Sequence, residues 1–458
     1  MTSVDSNPFA PFAQKMRAEG LPALAIAAFE RHYALVRSGE TGLMPSNSIA
    51  PVASLPDAED LSPRLAQVGQ EALAQTVILK LNGGLGTSMG LEKAKSLLTV
   101  KGDATFLDLI ARQAGRSGCP LVLMNSFSTH EDSMRALERY PELNTGLPQA
   151  FLQHKVPKIE VATLQPVEWP DAEDTWCPPG HGDLYTALVT SGVLAALRGA
   201  GKRTAFVSNA DNLGAVLDLR ILGAFVEERM PFLMEVADRT EADRKGGHLA
   251  LQGEQLVLRE AAQCPAEDVN DFQDFEKYCF FNTNTIWLEL DALFESLEAH
   301  GGVFPMPLIR NSKTVDPRDR KSTPVYQLES AMGAAISLFP GARAVRVPRT
   351  RFAPVKTCAD LLRVRSDATQ LTDDFSLIPA PDAAVSSVPI ELDSEFYSFV
   401  TDLDARFPAG PPSLVHCTRL KVTGDVRFGA GVRCVGEVVV SAEKGGSLQL
   451  EDGTVLGK

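Results

Sequence analysis

Residues 77–96, VILKLNGGLGTSMGLEKAKS, constrain this chain more than any other stretch. Val77, Ile78, Leu79 and Leu81 predict a short buried strand. It runs directly into Asn82-Gly83-Gly84-Leu85-Gly86-Thr87-Ser88-Met89-Gly90, a loop with four glycines, and Lys93 and Lys95 follow. Glycine lacks a Cβ and tolerates positive φ, so backbone N–H groups can turn inward against a bulky anion. A strand that delivers a glycine loop and then lysines is a phosphate site in outline. A strand-to-helix turn without a ligand needs fewer glycines and no lysines.

Two familiar nucleotide fingerprints do not fit. Walker A places Lys and then Ser or Thr after its last glycine, whereas Gly90 precedes Leu91. The dinucleotide pattern G-x-G-x-x-G accommodates Gly84 and Gly86 but meets Met89 at its third position. What stands there instead, G-G-x-G-T-x-M-G with Lys-Ser beyond, resembles the signature loop of the sugar nucleotidyltransferases.

With 458 residues the chain has material for two or three domains. It shows no apolar run of bilayer length and no basic-then-apolar leader at Met1. Its seven cysteines lack CxxC spacing, which argues against a disulfide framework or a zinc site and favours a reducing cytoplasm. A net charge of −14 excludes general affinity for nucleic acid. An anionic ligand therefore needs local compensation from a few lysines and a divalent cation, whose pull strengthens several-fold in a drier pocket.

Three segments are expected. Residues 1–74 read as a helical arm packing on the core: residues 11–37 carry helix-spaced apolar positions broken at Gly20-Leu21-Pro22, and a second short helix reaches Leu73. From residue 75 to 385 strands and helices alternate, which predicts an α/β, Rossmann-like domain with a mixed, mainly parallel sheet. Helices are expected over residues 105–116, 132–140, 183–197 and 325–338. Strands are expected over 120–125, 150–153, 204–208, 232–236, 280–290 and 344–347. Ligands of such sheets sit beyond the carboxyl ends of the strands, where Asn82-Gly83-Gly84, Asn125, Gln153 and Asn209-Ala210-Asp211 fall. Residues 386–458 read as a linker and a short C-terminal left-handed β-helix. Its mark is aliphatic residues six apart (Leu420, Val426, Val432, Val438, and Leu450 two periods on) with glycines between.

Three further sites carry chemistry. In Pro178-Pro179-Gly180-His181-Gly182-Asp183 a rigid turn opens a helix, and its glycines allow close approach to a negative group. A lone His is usually structural; the Pro/Gly frame around His181 makes it a candidate donor to a phosphate or hydroxyl. Asp211, ending the strand TAFVSNAD, offers a hard oxygen suited to Mg²⁺. Lys356 ends the basic run Arg349-Thr350-Arg351-Phe352-Ala353-Pro354-Val355-Lys356, which could equally be a solvated edge.

Together these segments resemble the eukaryotic-type UTP–glucose-1-phosphate uridylyltransferases, the UDP-glucose pyrophosphorylases. The resemblance runs through KLNGGLGTSMG, PLVLMNSF, PPGHGDLY, FVSNADNLGA, KGGHLA, FNTNTIWL, QLESAMGAAI, RFAPVKT and LKVTGDVRFG, most of the chain in order. It implies formation of UDP-glucose and pyrophosphate from UTP and glucose 1-phosphate, with Mg²⁺ as cofactor. By the same resemblance Leu81, Asn82, Gly83, Gly84 and Lys95 contact UTP, and Gln153 and Gly180 hold the uracil. Asn209 and Asp211 meet the nucleotide, Asp211 through the metal. His181, Glu235, Gly247, Asn282 and Asn284 form the glucose 1-phosphate side, Lys95 and Lys356 are catalytic, and Lys356 bridges the reacting phosphates. Self-association through the tail also follows from the family. Two departures stand out: Lys93-Ala94 replaces the usual Gly-Pro before Lys95, and His248 stands where relatives often carry Thr, beside the expected sugar pocket. Rival readings are a UDP-sugar or UDP-N-acetylhexosamine pyrophosphorylase, a non-catalytic UDP-sugar sensor, and a bifunctional acetyltransferase for which the tail is short.

Overall fold

The computed structural model describes residues 7–457; residues 1–6 and Lys458, the outer ends of the two flanking segments, lie outside the described residues. The glycine-loop strand, Thr76–Asn82, is buried along its whole length and lies at the centre of a ten-stranded sheet. It pairs in parallel with Thr204–Asn209 on one side and Leu121–Asn125 on the other, and Ala150–Leu152 continues the parallel wing. Strands buried on both faces read as near-continuous apolar runs, which is why residues 77–81, apolar but for Lys80, and 121–124 were legible as strands. Leu79 pairs with Val122 and Val207, so the register brings Asn82, Asn125 and Asn209 to the same edge.

The other wing is antiparallel, which corrects the expected mainly parallel sheet. Phe280–Glu289 runs antiparallel to Thr204–Asn209 and to Phe232–Asp238, and the hairpin His248–Gln252/Gln255–Arg259 extends it. Connections as short as Gly253-Glu254 turn a strand back beside itself, whereas parallel pairing requires a long crossover. Phe232–Asp238 also pairs in parallel with Arg343–Arg346, so the sheet forks and is mixed, partly parallel.

The helix after the glycine loop, Phe106–Ser117, starts at a capping box in which Thr105 and Asp108 satisfy each other's backbone N–H groups and ends at Gly118 with φ 68°. The helix expected over 183–197 is two, Leu184–Thr190 and Val193–Gly199, parted by Gly192 at φ 76°. The helix expected over 325–338 is a correction. Pro324–Glu329 is a strand paired with Ile309–Thr314 and Ile159–Glu160, and only Met332–Leu338 turns, as a 3₁₀ helix. Val325 and Leu328, the two buried positions, are three apart and mimic a helical stripe; cross-strand pairing overrides it.

The N-terminal helices Ala10–Ala18 and Ala23–Arg37 bury Phe9, Phe12, Phe29 and Tyr33 against Val156, Cys177, Leu308 and Leu328. In the tail Leu420, Val426, Val432 and Val438 are fully buried. Leu420 pairs in parallel with Val438 and Val426 with Leu448, so successive short strands stack on one another. This stack shares one apolar cluster with Met89, Leu213 and Val355 of the loops described below.

His248 is fully buried and stacks on Tyr278 at 4.1 Å between ring centroids, with Phe272 at 5.0 Å. Its side chain packs in the core, on the strand that begins directly after Gly247. Burial and the neighbouring Arg239 push its imidazole down to about 3, so it folds neutral. The unfolded chain then binds the extra proton below about pH 6.5, and stability falls as pH drops from there towards 3. At pH 5 this costs about 2 kcal/mol. His248→Phe is expected to shrink the stability difference between pH 7 and pH 5 by that amount. Identical pH slopes in denaturation would contradict it.

Candidate active site

The carboxyl edge of the parallel wing opens into a cavity of about 660 Å³. Its wall gathers Leu81, Asn82, Gly83, Gly84, Lys95, Gln153, Gly180, His181, Asn209 and Asp211, ten of the residues singled out from sequence. The glycine loop doubles back over them. Gly86 and Gly90 adopt φ of 71° and 74° around the 3₁₀ turn Thr87–Met89. The Lys95 N–H then donates to the Gly84 carbonyl at 3.0 Å. A Cβ on Gly86 would lie 2.8 Å from Leu91 Cδ1 and 3.3 Å from Lys95 Cγ, so a glycine lets the loop close on the lysine stem. Lys93 is exposed and off the wall; Lys95 is the lysine the loop delivers.

Lys95 Nζ lies 2.8 Å from Asp211 Oδ2. The ammonium and the carboxylate are thus already adjacent beside the backbone cradle. Asn82 serves the frame: its Nδ2 donates to Asn125 Oδ1 at 2.7 Å and Ser133 Oγ at 2.8 Å, joining two strand ends to the helix Phe127–Leu137. Opposite, Gln153 Nε2 donates to the Gly180 carbonyl at 3.1 Å, and Gln153 Oε1 lies over Gly83. Gly180 and Gly182 are required because a Cβ on either would sit 2.4 Å from Ser330.

The Met332 N–H donates to His181 Nδ1 at 2.9 Å. That bond fixes the tautomer and leaves Nε2–H as the ring's donor. Burial holds His181 down at about 4, so it is a neutral donor at physiological pH.

Gly247, Asn282 and Asn284 form a second cluster on the antiparallel wing, outside the cavity wall. A register shift between Glu235 and Val236 bulges the facing strand, and Asn284 takes φ 56°, a conformation rare outside glycine. Asn282 Nδ2 donates to Asn284 Oδ1 at 2.9 Å. Glu260, unmarked by any motif, belongs here: a Cβ on Gly247 would meet its Oε2 at 2.5 Å. Burial pushes the Glu260 carboxyl up, while a hydrogen bond with Asn282 and the charge of Lys356 pull it back. Lys356 is exposed, but the preceding Val355 N–H donates to the Asp211 carbonyl at 3.1 Å, so its segment spans the two clusters.

Glu235, expected on the sugar side, pairs opposite Thr285 beside the second cluster, but its carboxylate is engaged in a buried ion pair. Its carboxylate, 1% exposed, accepts from Arg351 Nε and Nη2 at 2.8 and 2.7 Å and from Trp287 Nε1 at 2.9 Å. At the cavity rim, sequence missed Lys155, whose ammonium faces the rings of Trp176 and Phe127 at 5.0 and 5.5 Å and pairs with Glu19 of the arm at 2.7 Å.

Similarity to known proteins decides the family. The profile described as UTP–glucose-1-phosphate uridylyltransferase matches residues 27–434. The chain belongs to the UTP–glucose-1-phosphate uridylyltransferase family. It is 42% identical to the enzyme of that name from Solanum tuberosum over 84% of this chain and 81% of the relative. It is 41% identical to the Saccharomyces cerevisiae enzyme over 84% and 77%. Among solved structures, a mutant of UDP-glucose pyrophosphorylase from Leishmania major in complex with UDP-glucose superposes with a TM-score of 0.90, at 43% identity and 98% coverage of both chains. The Trypanosoma brucei UDP-glucose phosphorylase gives 0.88 at 46% identity, again with 98% of both chains covered.

Proposed function

We propose that this uridylyltransferase joins UTP to glucose 1-phosphate in the cavity beside the glycine loop, releasing pyrophosphate. A phosphate oxygen of glucose 1-phosphate forms the new bond to the α-phosphorus of UTP, and the bond from that phosphorus to the β-phosphate oxygen breaks. The nucleophile is already anionic, so no general base is needed; the task is alignment and charge neutralisation. The observation that carries this reading is the convergence of Gly84, Lys95, Asp211, Gln153 and His181 on one cavity wall.

Each residue then has a role. Leu81, Asn82, Gly83 and Gly84 line the triphosphate, Gln153 and Gly180 hold the uracil, and Asn209 orients the nucleotide. Lys95 and Lys356 neutralise phosphate charge from two sides. His181 donates through Nε2–H to the sugar phosphate, and Gly247, Asn282, Asn284 and Glu260 receive the glucose. Among the described residues no group of three or more His, Cys, Asp or Glu side chains could cage a metal. One carboxylate, Asp211, is a donor set that fits Mg²⁺, which usually keeps waters and binds through one or two carboxylates and substrate phosphates. When bound, Mg²⁺ supplies Lewis-acid stabilisation of phosphate charge.

The test incubates purified protein with UTP and a panel of sugar 1-phosphates and measures pyrophosphate. The expected result is efficient release with glucose 1-phosphate, abolished by EDTA and restored by Mg²⁺. Equal or better release with N-acetylglucosamine 1-phosphate would favour the rival pyrophosphorylase, and no release with any sugar would favour the sensor. Activity surviving thorough EDTA treatment would remove the metal assignment.

The arm, the catalytic segment and the tail are proposed as separate units, divided near residues 74 and 385. The stacked strands of the tail are read as coils of a left-handed β-helix. Exposed Val439 and Val455 on that stack support self-association, which sedimentation equilibrium tests: a monomer throughout would reject it. Among the described residues no helix is long and apolar enough to cross a membrane, and all seven cysteines are free, as suits the cytoplasmic setting proposed.

A further inference from the structure

The segment that follows the cavity strand and the segment that carries Lys356 lie side by side, and one side chain joins them. Asn212 is 3% exposed and reaches across the seam with both ends of its amide. Its Nδ2 donates to the Arg351 carbonyl at 3.1 Å, and its Oδ1 accepts from the Ala353 N–H at 2.9 Å. Oδ1 also accepts from the Gly214 N–H at 3.2 Å, shaping its own loop. Asn212 and Pro354 form an isolated antiparallel bridge, and the Val355 N–H donates to the Asp211 carbonyl. Gly214 admits this approach: a Cβ there would lie 2.4 Å from the Thr350 carbonyl oxygen.

The seam is supported from beneath. Arg351, held by Glu235, donates through Nη2 to the Val216 carbonyl at 2.9 Å. Lys80, buried on the glycine-loop strand, donates to Ser208 Oγ at 2.6 Å and the Ala215 carbonyl at 2.9 Å. Asn212 is not on the cavity wall. On the far side of Lys356, its own N–H donates to Asp360 at 3.0 Å. The lysine thus starts from a fixed backbone, and its exposed four-carbon stem is the part left to move.

We propose that Asn212 is a positioning residue for uridylyl transfer. It locks the Lys356 segment to the Asp211 segment, so that ammonium and carboxylate meet the same triphosphate. The inference rests on the reading of Lys356 and Asp211 given above. Only a side chain with a donor and an acceptor at one end can satisfy a carbonyl and an N–H of the facing segment together. Without it the segment drifts, and a displacement of about 1 Å of a group near the reacting centre can cost about 100-fold in rate.

The experiment uses the full chain and measures kcat, both KM values and thermal stability for Asn212→Ala, Lys356→Ala and the double variant. Asn212→Ala is expected to lower kcat about 30- to 100-fold with the KM for UTP changed less than about 3-fold. The double variant should be no slower than Lys356→Ala alone, because a residue acting through Lys356 has nothing left to position. Asn212→Ser keeps a hydroxyl that can still donate or accept across the seam; its expected loss is smaller, about 10-fold, and it carries the test if the alanine variant does not fold. Parental kcat in both Asn212 variants would overturn the proposal, as would losses that multiply with that of Lys356→Ala. Full turnover in Lys356→Ala would remove the role of Lys356 and this proposal with it. A crippled Lys356→Ala with an independent Asn212 effect removes this proposal alone.

Discussion

Lys95→Ala is expected to lower turnover about 100- to 1000-fold while the protein stays folded, as removal of a single preorganised donor at a developing charge does elsewhere. Lys95 lies inside the cavity with its side chain 14% exposed, and among the described residues its one side-chain partner is Asp211. An incoming triphosphate brings several oxygens that compete for that ammonium. Two unit charges 4 Å apart attract by about 1 kcal/mol in water and about 4 kcal/mol at an effective dielectric of 20, so the lysine matters most when substrate has displaced water. Stability should change little, because Asp211 is 23% exposed and water can solvate it once unpaired. Pairs in contact with solvent contribute about 0–1 kcal/mol. Lys93→Ala is the control. Its ammonium is exposed and off the cavity wall, so turnover should match the parent. Pyrophosphate release and a thermal melt read both variants. A loss below about fivefold in Lys95→Ala, or equal losses in the two, would return the assignment to an undivided lysine pair.

The parallel wing and its edge were legible because one local signal marks each part. Residues 77–81 are apolar except for Lys80, and of the glycines that follow Gly86 and Gly90 are required by a positive φ, Gly86 also by the nearness of Leu91 and Lys95. Gln153, His181 and Asp211 stand at strand ends or a helix start, where side chains of an open sheet face ligand. The antiparallel wing carries no such marker. Asn282 and Asn284 share a cluster because a bulge shifts the register between them, and only pairing with Phe232–Asp238 reveals it. Glu260 is brought to Gly247 by a hairpin whose register no short motif encodes. Val325 and Leu328 mislead because a strand and a helix can bury residues three apart, and partners across the sheet choose between them. Motif matching placed Glu235 near the sugar and could not show that the strand turns this side chain towards Arg351.

Glu235→Ala is therefore expected to destabilise the protein, with its thermal midpoint falling by about 10 °C. Both carboxylate oxygens contact the Arg351 guanidinium, and Oε1 also accepts from Trp287 Nε1. Arg351 is 8% exposed and Trp287 fully buried, so neither can turn to water for a replacement. A buried cation stripped of its partner costs about 3–5 kcal/mol, and an orphaned indole N–H about 1–3 kcal/mol more. Glu260→Gln should behave in the opposite way. Its carboxylate sits against Gly247 beside Asn282 and Lys356, with no buried guanidinium depending on it. The fold should persist, and the KM for glucose 1-phosphate should rise about tenfold or more, with the KM for UTP nearly unchanged, since a hydrogen bond to a charged group contributes about 1.5–3 kcal/mol. The two variants separate an anchor from a ligand. If Glu235→Ala melts like the parent and only its sugar-phosphate KM shifts, Glu235 contacts the sugar as the motif implied, and its ion pair with Arg351 is not what holds the Lys356 segment in place.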